Sequence, residues 1–511
     1  MEDLNKKSAL KDVNAKQTAN LDEALEIAGL GWYNLKYCLL SAMLLISTIM
    51  EILGASLVLP AAICDLQMSD SQRGLVMSIP YLGMLITSFP WGFLVDTRGR
   101  KKMLIYSSIA VGILSILSGL MPNLPSFVVC KFLSSLCITC PSAASYTYIG
   151  EILPSRYRDL TLSVINATQV AGSALVPLLA WAILPLDFRV SFGFYIFRPW
   201  RLLTMFYASF FLIFGALLAL GPESPKYLVT QDKYEEALSV LQDIYAGNKG
   251  KRPDEYPIKW LDAPPNERKE GSFLLSLKVQ TVPLLKWPYL KWMLLNGSML
   301  FTIFVILNGL NVWVPDVINR VFLAGDGQGR TACEVIVQGN NQTSAADAEC
   351  DDTLDEIIFL INTAARLGCA VVAILISSTV KYIGKKKLVI ICFLVIGMAC
   401  ISVNFITQDV LSAVILSSSP IIVLAVGPIN AYTVAIFPTH LRGMAISLSM
   451  MLGRIGSVVG ANFTGLLINN ACDMIFYSFG GLLFLSSVLA LLLPNSSGAK
   501  TDQDKKNINT R

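Results

Sequence analysis

The apolar positions of this chain come in long runs separated by short polar stretches. Runs of about 18–26 residues recur, each long enough to cross ~30 Å of hydrocarbon as a helix. They predict spans at 38–63, 72–95, 103–121, 125–149, 161–184 and 202–221. After a longer polar stretch come 291–314, 355–379, 388–406, 410–436, 444–469 and 474–493. Only helices fit such runs, because lipid offers no partners for backbone N–H and C=O groups. The expected organisation is a polar segment 1–36, a six-helix bundle over 37–222, a linker 223–290, a second bundle over 291–494 with a loop at 316–354, and a tail 495–511.

Two polar stretches carry a helical period. Ala237, Leu238, Leu241, Ile244 and Tyr245 share one face of a helix over Lys233–Tyr245. The segment Leu21–Leu30 reads similarly, with Asn20 as its N-cap and Glu23 three residues on.

Composition agrees with a membrane protein. Of 511 residues, 54% are hydrophobic and 15% charged, where a soluble chain carries about 25% charge. The net charge of +4 points to no nucleic-acid partner. The placement of the cations says more. Arg98, Arg100, Lys101 and Lys102 follow span two, Arg156 and Arg158 span four, Lys381 and Lys385–Lys387 span eight, and Arg442 span ten. Cations in short loops mark the cytoplasmic face, so both termini are expected there.

The opposite loop, 316–354, is acidic and has Cys333 and Cys350 flanking the N-glycosylation acceptor Asn341-Gln342-Thr343. A Cys333–Cys350 disulfide and a glycan on Asn341 are both expectations there, since an oxidising compartment permits the first. Most of the other cysteines sit in apolar runs as small hydrophobes. With one histidine, His440, and no cysteine–histidine pattern, no metal site is expected.

A repeat runs through the chain. Gly99, within Asp96-Thr97-Arg98-Gly99-Arg100-Lys101-Lys102, and Gly384, within Lys381-Tyr382-Ile383-Gly384-Lys385-Lys386-Lys387, are 285 positions apart. Pro154 precedes Arg158 by four residues and Pro438 precedes Arg442 by four, and those prolines are 284 apart. Two landmarks at one offset predict two pseudo-symmetric six-helix halves. Transporters are commonly built this way, with the substrate site between the halves near the midplane.

Gly92-Phe93-Leu94-Val95-Asp96-Thr97-Arg98-Gly99-Arg100-Lys101 resembles the signature loop of the major facilitator superfamily. Pro222-Glu223-Ser224-Pro225-Lys226-Tyr227-Leu228 resembles the segment after helix six in sugar and organic-ion porters. Leu21–Tyr33, Glu51-Ile52 with Val58-Leu59-Pro60, Trp200-Arg201 and Val312-Trp313-Val314-Pro315-Asp316 are similar to the synaptic vesicle glycoprotein two family and its transporter-like relatives. The resemblance implies an all-α membrane protein of twelve helices in two bundles. It also shows departures. Thr48 stands where that family has an aspartate, Lys131 where helix four usually carries arginine, and the long glycosylated loop domain is absent.

Ionisable residues deep in a span are expensive and face a cavity or a partner. Glu51, Arg366 and Arg454 lie near span centres. Glu51 is either a proton- or cation-responsive group or the structural partner of one of these arginines. Arg366 and Arg454 either make the cavity electropositive, favouring an anionic or zwitterionic solute, or serve helix packing. By resemblance Trp200, Asn308, Asn311, Trp313 and Asp316 lie near the outer mouth or upper cavity, with interfacial anchoring the alternative for Trp200. Gly92, Asp96, Gly99, Arg100, Lys101, Glu151, Arg158 and Arg442 form the expected cytoplasmic gating motifs. Gates around Asp96 and Arg158 would favour the outward-facing state.

These readings add up to a secondary carrier of a small organic solute, an organic ion or a sugar, working by alternating access. A coupled proton or cation, a monomeric state and a plasma or vesicle membrane location are expected, with no cofactor and no enzymatic chemistry. The competing class is a transport-inactive protein of the same fold that binds ligands or partners.

Overall fold

The computed structural model describes residues 18–186, 188–193, 195–262, 279, 281–323, 330–343 and 354–494. Twelve helices are long and apolar enough to cross a membrane. Spans one to six are Trp32–Ala61, Asp70–Arg98, Arg100–Leu120, Leu124–Ile152, Ser155–Ile183 and Pro199–Leu218. Spans seven to twelve are Tyr289–Phe322, Glu356–Ala373, Lys385–Phe405, Asp409–Ile436, Leu441–Leu467 and Cys472–Ala490. They form the two six-helix halves that the repeat predicts. The halves meet chiefly where span two packs on span eleven and span five on span eight.

The repeat is visible in the backbone. Gly99 and Gly384 both adopt positive φ, +107° and +84°, at the turn between adjacent spans. A side chain there would be strained, so glycine permits the reversal. Pro154 and Pro438 both immediately precede a helix, Ser155–Gly172 and Thr439–Leu467. A ring that fixes φ suits such a start.

One boundary differs from expectation. Span seven does not end at residue 314. Its helix Tyr289–Asn311 turns at Val312-Trp313 and resumes as Val314–Leu323, so Asp316 and Arg320 stand on a helix rather than in the loop. Beyond it, Ala332–Thr343 forms a further helix.

The acidic-loop disulfide is also different. Cys333 is bonded to Cys472, at the start of span twelve, with Cα atoms 5.4 Å apart. A Cys333–Cys350 bond is therefore excluded. Helix Ala332–Thr343 lies against span twelve, which brings a distant cysteine closer than sequence spacing suggests. Cys64 is disulfide-bonded as well. Cys350 and the Asn341 side chain lie outside the described residues.

Where span one begins, the polar segments fold into a small cap on the first bundle. Helix Leu21–Ala28 begins at Asn20 with the expected capping box: Asn20 Oδ1 accepts from the Glu23 N–H at 2.9 Å, and the Asn20 N–H donates to Glu23 Oε2 at 3.3 Å. Helix Tyr234–Lys249 packs against it through Leu241, Ile244 and Tyr245. Thr18–Ala19 pairs in parallel with Trp260–Leu261. Asn248 donates to Gly29 O at 2.8 Å and to Asn34 Oδ1 at 2.6 Å, and accepts from the Tyr33 N–H at 3.1 Å. Tyr256 donates to Ala24 O at 2.6 Å.

Candidate functional site

The inner faces of spans two, seven, eight and eleven meet along the boundary between the halves, and a polar layer crosses it. Tyr81 of span two donates to Asn308 Oδ1 of span seven at 2.5 Å. Asn308 in turn donates to Ser457 Oγ of span eleven at 2.8 Å. One helical turn on, Asn311 Oδ1 accepts from Arg366 Nη2 of span eight at 2.8 Å. Arg454 of span eleven donates through Nη1 to Met84 O, at 2.8 Å, and to Ser88 Oγ of span two. Tyr81, Met84 and Ser88 recur at three- and four-residue spacing, so one face of span two meets both neighbours. Asn308, Asn311, Arg366 and Arg454 are thus brought into one region at the boundary between the halves.

Glu51 is elsewhere. It lies inside the first bundle, and its partner is neither arginine but Lys131 of span four, with Nζ 2.6 Å from Oε1. Ser115 of span three donates to the same oxygen at 2.7 Å and lies 2.8 Å from Ser134 Oγ. A narrow cavity rises from this pair, walled by Val58, Val76, Phe127 and Tyr207. The carboxylate is satisfied by one cation and one hydroxyl, the pairing a buried charge needs.

Asp316 and Trp313 belong to a third group, at the end of the bundles remote from the cap. Arg73 of span two bonds Asp70 at 2.8 Å and reaches Asp316 at 3.1 Å. Arg320 meets Asp70 at 2.9 Å and Asp316 at 3.0 Å. Asn469, beyond span eleven, donates to Asp70 Oδ2 at 2.7 Å and accepts from Arg320 at 3.0 Å. The Arg73 guanidinium lies 4.9 Å over the Trp313 ring, whose Nε1 donates to Ala461 O at 3.2 Å. Asp70 and Arg73 belong to the first half; the other members belong to the second. Backbones approach closely beside them: a Cβ on Gly74 would sit 2.9 Å from Ala461 O. This is a latch across the halves.

Trp200 lines no mouth and anchors no interface. It is 1% exposed, and its Nε1 donates to Asp65 Oδ2 at 3.2 Å. Arg201 shares that carboxylate at 2.7 Å and donates to Met121 O at 2.6 Å, tying the ends of spans one, three and six.

The gating motifs form local networks. Arg100 pairs with Asp96 and with Glu151, each at 3.0 Å. Glu223 Oε1 accepts from the Lys101 N–H at 2.8 Å, and Ser224 donates to Glu151 at 2.5 Å. A Cβ on Gly99 would meet Glu223 at 2.7 Å. Arg158 meets Asp22 of the cap at 3.2 Å, Arg442 donates to Phe437 O at 2.9 Å, and Gly92 faces open space. Among the described residues, the ionic partners of Asp96, Arg100 and Arg158 lie in the first half or its cap.

Sequence reasoning missed Asp70, Arg73, Arg320 and Asn469. They stand at span ends, where a charge looks like a topological marker. It also missed Tyr81, Ser88 and Ser115, which are ordinary in composition.

A twelve-helix, two-half bundle with a polar layer at its seam and a latch at one end defines a membrane transport protein. Residues 39–323 and 353–509 match the family model described as Major Facilitator Superfamily, and the chain belongs to that family. It is 24% identical to svop-1 of Caenorhabditis elegans over 487 residues, covering 94% of this chain and 86% of that protein. It is 32% identical to human synaptic vesicle glycoprotein 2A over 203 residues, which is 39% of this chain and 27% of that protein. Among solved structures, the inward-open xylose transporter XylE from E. coli superposes with a TM-score of 0.64 at 17% identity, covering 91% of this chain and 98% of that one. A bacterial homologue of the lysosomal transporter Spinster, inward-facing, gives 0.63 at 13% identity, with 91% and 98% covered. At these identities the structural likeness speaks for the fold.

Proposed function

We propose that the chain is a secondary active transporter that carries a small organic solute, an organic ion or a sugar-like molecule, by alternating access. The observation that carries this reading is the asymmetry of the contact between the halves. Asp70 and Arg73 are clasped to Asp316 and Arg320 at one end of span two, while at the other end the described ion pairs of Asp96 stay within the first half. A cleft shut at one end and open at the other, with a polar layer between, is half of a transport cycle.

Short basic loops mark the open end as cytoplasmic, so this is an inward-facing state with both termini inside. The same reading puts the acidic loop and its Cys333–Cys472 disulfide in an oxidising space, outside the cell or in a vesicle lumen. The Asp96, Arg100 and Arg158 networks would then engage the second half when the cytoplasmic end closes.

In this reading Glu51 and Lys131 form the coupling site. A coupled cation that took the place of Lys131 beside Glu51 would loosen span one from span four.

The test is uptake by the purified protein in proteoliposomes with an imposed proton gradient, alongside distance measurements between spin labels on the two faces. Solute-dependent exchange between two distance populations, one closed at each end, is expected. A single immobile population with no uptake would favour the transport-inactive reading.

A further inference from the structure

We infer that the solute is an organic anion bearing a carboxylate, held between Arg366 and Arg454. This rests on the carrier reading and names the substrate class of the same cleft.

The argument is a charge count. The buried and nearly buried carboxylates of the described bundles are already matched: Glu51 by Lys131, Asp65 by Arg201, Asp70 and Asp316 by Arg73 and Arg320, Glu151 by Arg100. Away from the span ends, the guanidinium groups of Arg366 and Arg454 are left over among the described residues. No carboxylate among the described residues comes within ion-pair distance of Arg366 or Arg454. Arg366 is 8% exposed, and its one hydrogen bond goes to the neutral Asn311. Arg454 spends Nη1 on a backbone carbonyl and a serine hydroxyl. On both residues the remaining nitrogens have no acceptor among the described residues, yet they are not sealed away from solvent. They are left to meet a solute.

A cation at this depth without an anion is costly. Water in the open cleft carries that cost in the empty protein. When the cleft closes around a solute, the water leaves and the cost returns unless the solute brings negative charge. A neutral sugar would leave both charges unanswered, and a cationic solute would add to them. A carboxylate answers them with charge-assisted hydrogen bonds, the strongest class available. Tyr81, Asn308 and Ser457 supply hydroxyl and amide groups alongside for the rest of the molecule.

The experiment is counterflow in proteoliposomes with lactate, succinate and benzoate beside lactamide, succinamide, benzamide and xylose. At least one carboxylate should exchange while its amide does not. Arg366→Gln and Arg454→Gln should each raise its KM by about tenfold or more, and Arg366→Lys should keep part of the affinity. A second readout covers variants that fold poorly: the favoured carboxylate should raise the melting temperature of the wild-type protein in detergent and lose that effect in the Gln variants. Exchange of amides or xylose in preference to carboxylates overturns the anion assignment and leaves the carrier reading standing. Carboxylate stabilisation without any exchange sustains the anion site and overturns the carrier. Failure of all three carboxylates both to exchange and to stabilise overturns the anion assignment.

Discussion

Arg320 reaches across the seam between the halves and holds both carboxylate oxygens of Asp70, at 2.9 and 3.0 Å. Asp70 is also the partner of Arg73 in its own helix. One acid thus serves a cation from each half, and Asp316 does the same from the other side. Each half contributes one acid and one base, and the crossed pairs Arg320–Asp70 and Arg73–Asp316 exist only when the halves are together.

Asp70→Asn should therefore favour opening at the latch end. The expected change in the open-to-closed ratio is at least about tenfold, the factor that ~1.4 kcal/mol supplies. Spin labels at the exposed positions Gln67 and Asn470, one on each half, would report it as a longer distance population. An unchanged distance distribution would mean that the packing around Gly74 and Gly465 closes this end without the charges.

Glu51→Gln should strip Lys131 of its counter-ion and destabilise the first bundle by about 3–5 kcal/mol, the usual cost of leaving one member of a buried pair unpaired. Glu51→Gln combined with Lys131→Met should recover most of that loss, read as melting temperature in detergent. In transport assays both variants should lower uptake. A single variant as stable as the wild type would show that the pair does not hold spans one and four together.

Cys333→Ser or Cys472→Ser should lower stability by about 2–4 kcal/mol, since the bond closes a loop of sequence separation 139. Peptide mapping without reduction should recover the Cys333–Cys472 cross-link. Peptide-N-glycosidase should also shift the mass of the protein from cells if Asn341, on helix Ala332–Thr343, carries a glycan. A Cys333 peptide found free of any cross-link would remove the bond from the account.

The cap should loosen in acid. Glu26 Oε1 accepts from the Ser155 hydroxyl at 2.6 Å and from the Arg156 N–H at 2.9 Å, at the start of span five. The Ser155 hydrogen bond, then the Arg156 N–H, hold its carboxyl below the usual glutamate value. A depressed folded-state value means the contact stabilises fully above the ordinary carboxylate range and is lost as pH falls through the lowered value. Hydrogen exchange over residues 21–28 should rise through that acid window, and Glu26→Gln should flatten the rise. An acid step that survives the substitution would assign it to another group.

What the sequence made legible was local or periodic. The capping box at Asn20 and Glu23 needs only three residues of separation. The paired glycines 99 and 384 and prolines 154 and 438 reveal the duplication because each dictates backbone conformation by itself. The seam was legible only in part. Arg366 and Arg454 stood out because a charge in mid-span is costly. Asp70, Arg73 and Arg320 did not, because at a helix end a charge is cheap and its partner lies some 240 residues away or more. Trp200 misled for a related reason: tryptophan near a span end is common at lipid interfaces, and only the fold shows Asp65 beneath it. Cys472 escaped notice because nothing in its own neighbourhood distinguishes it from the unbonded cysteines.

The strand pair between Thr18–Ala19 and Trp260–Leu261 sews the connecting polypeptide, as far as Asp262, onto the first bundle. Through that seam the segment ahead of span one and the segment after span six become a single piece, so a cut or insertion in either should be felt by both.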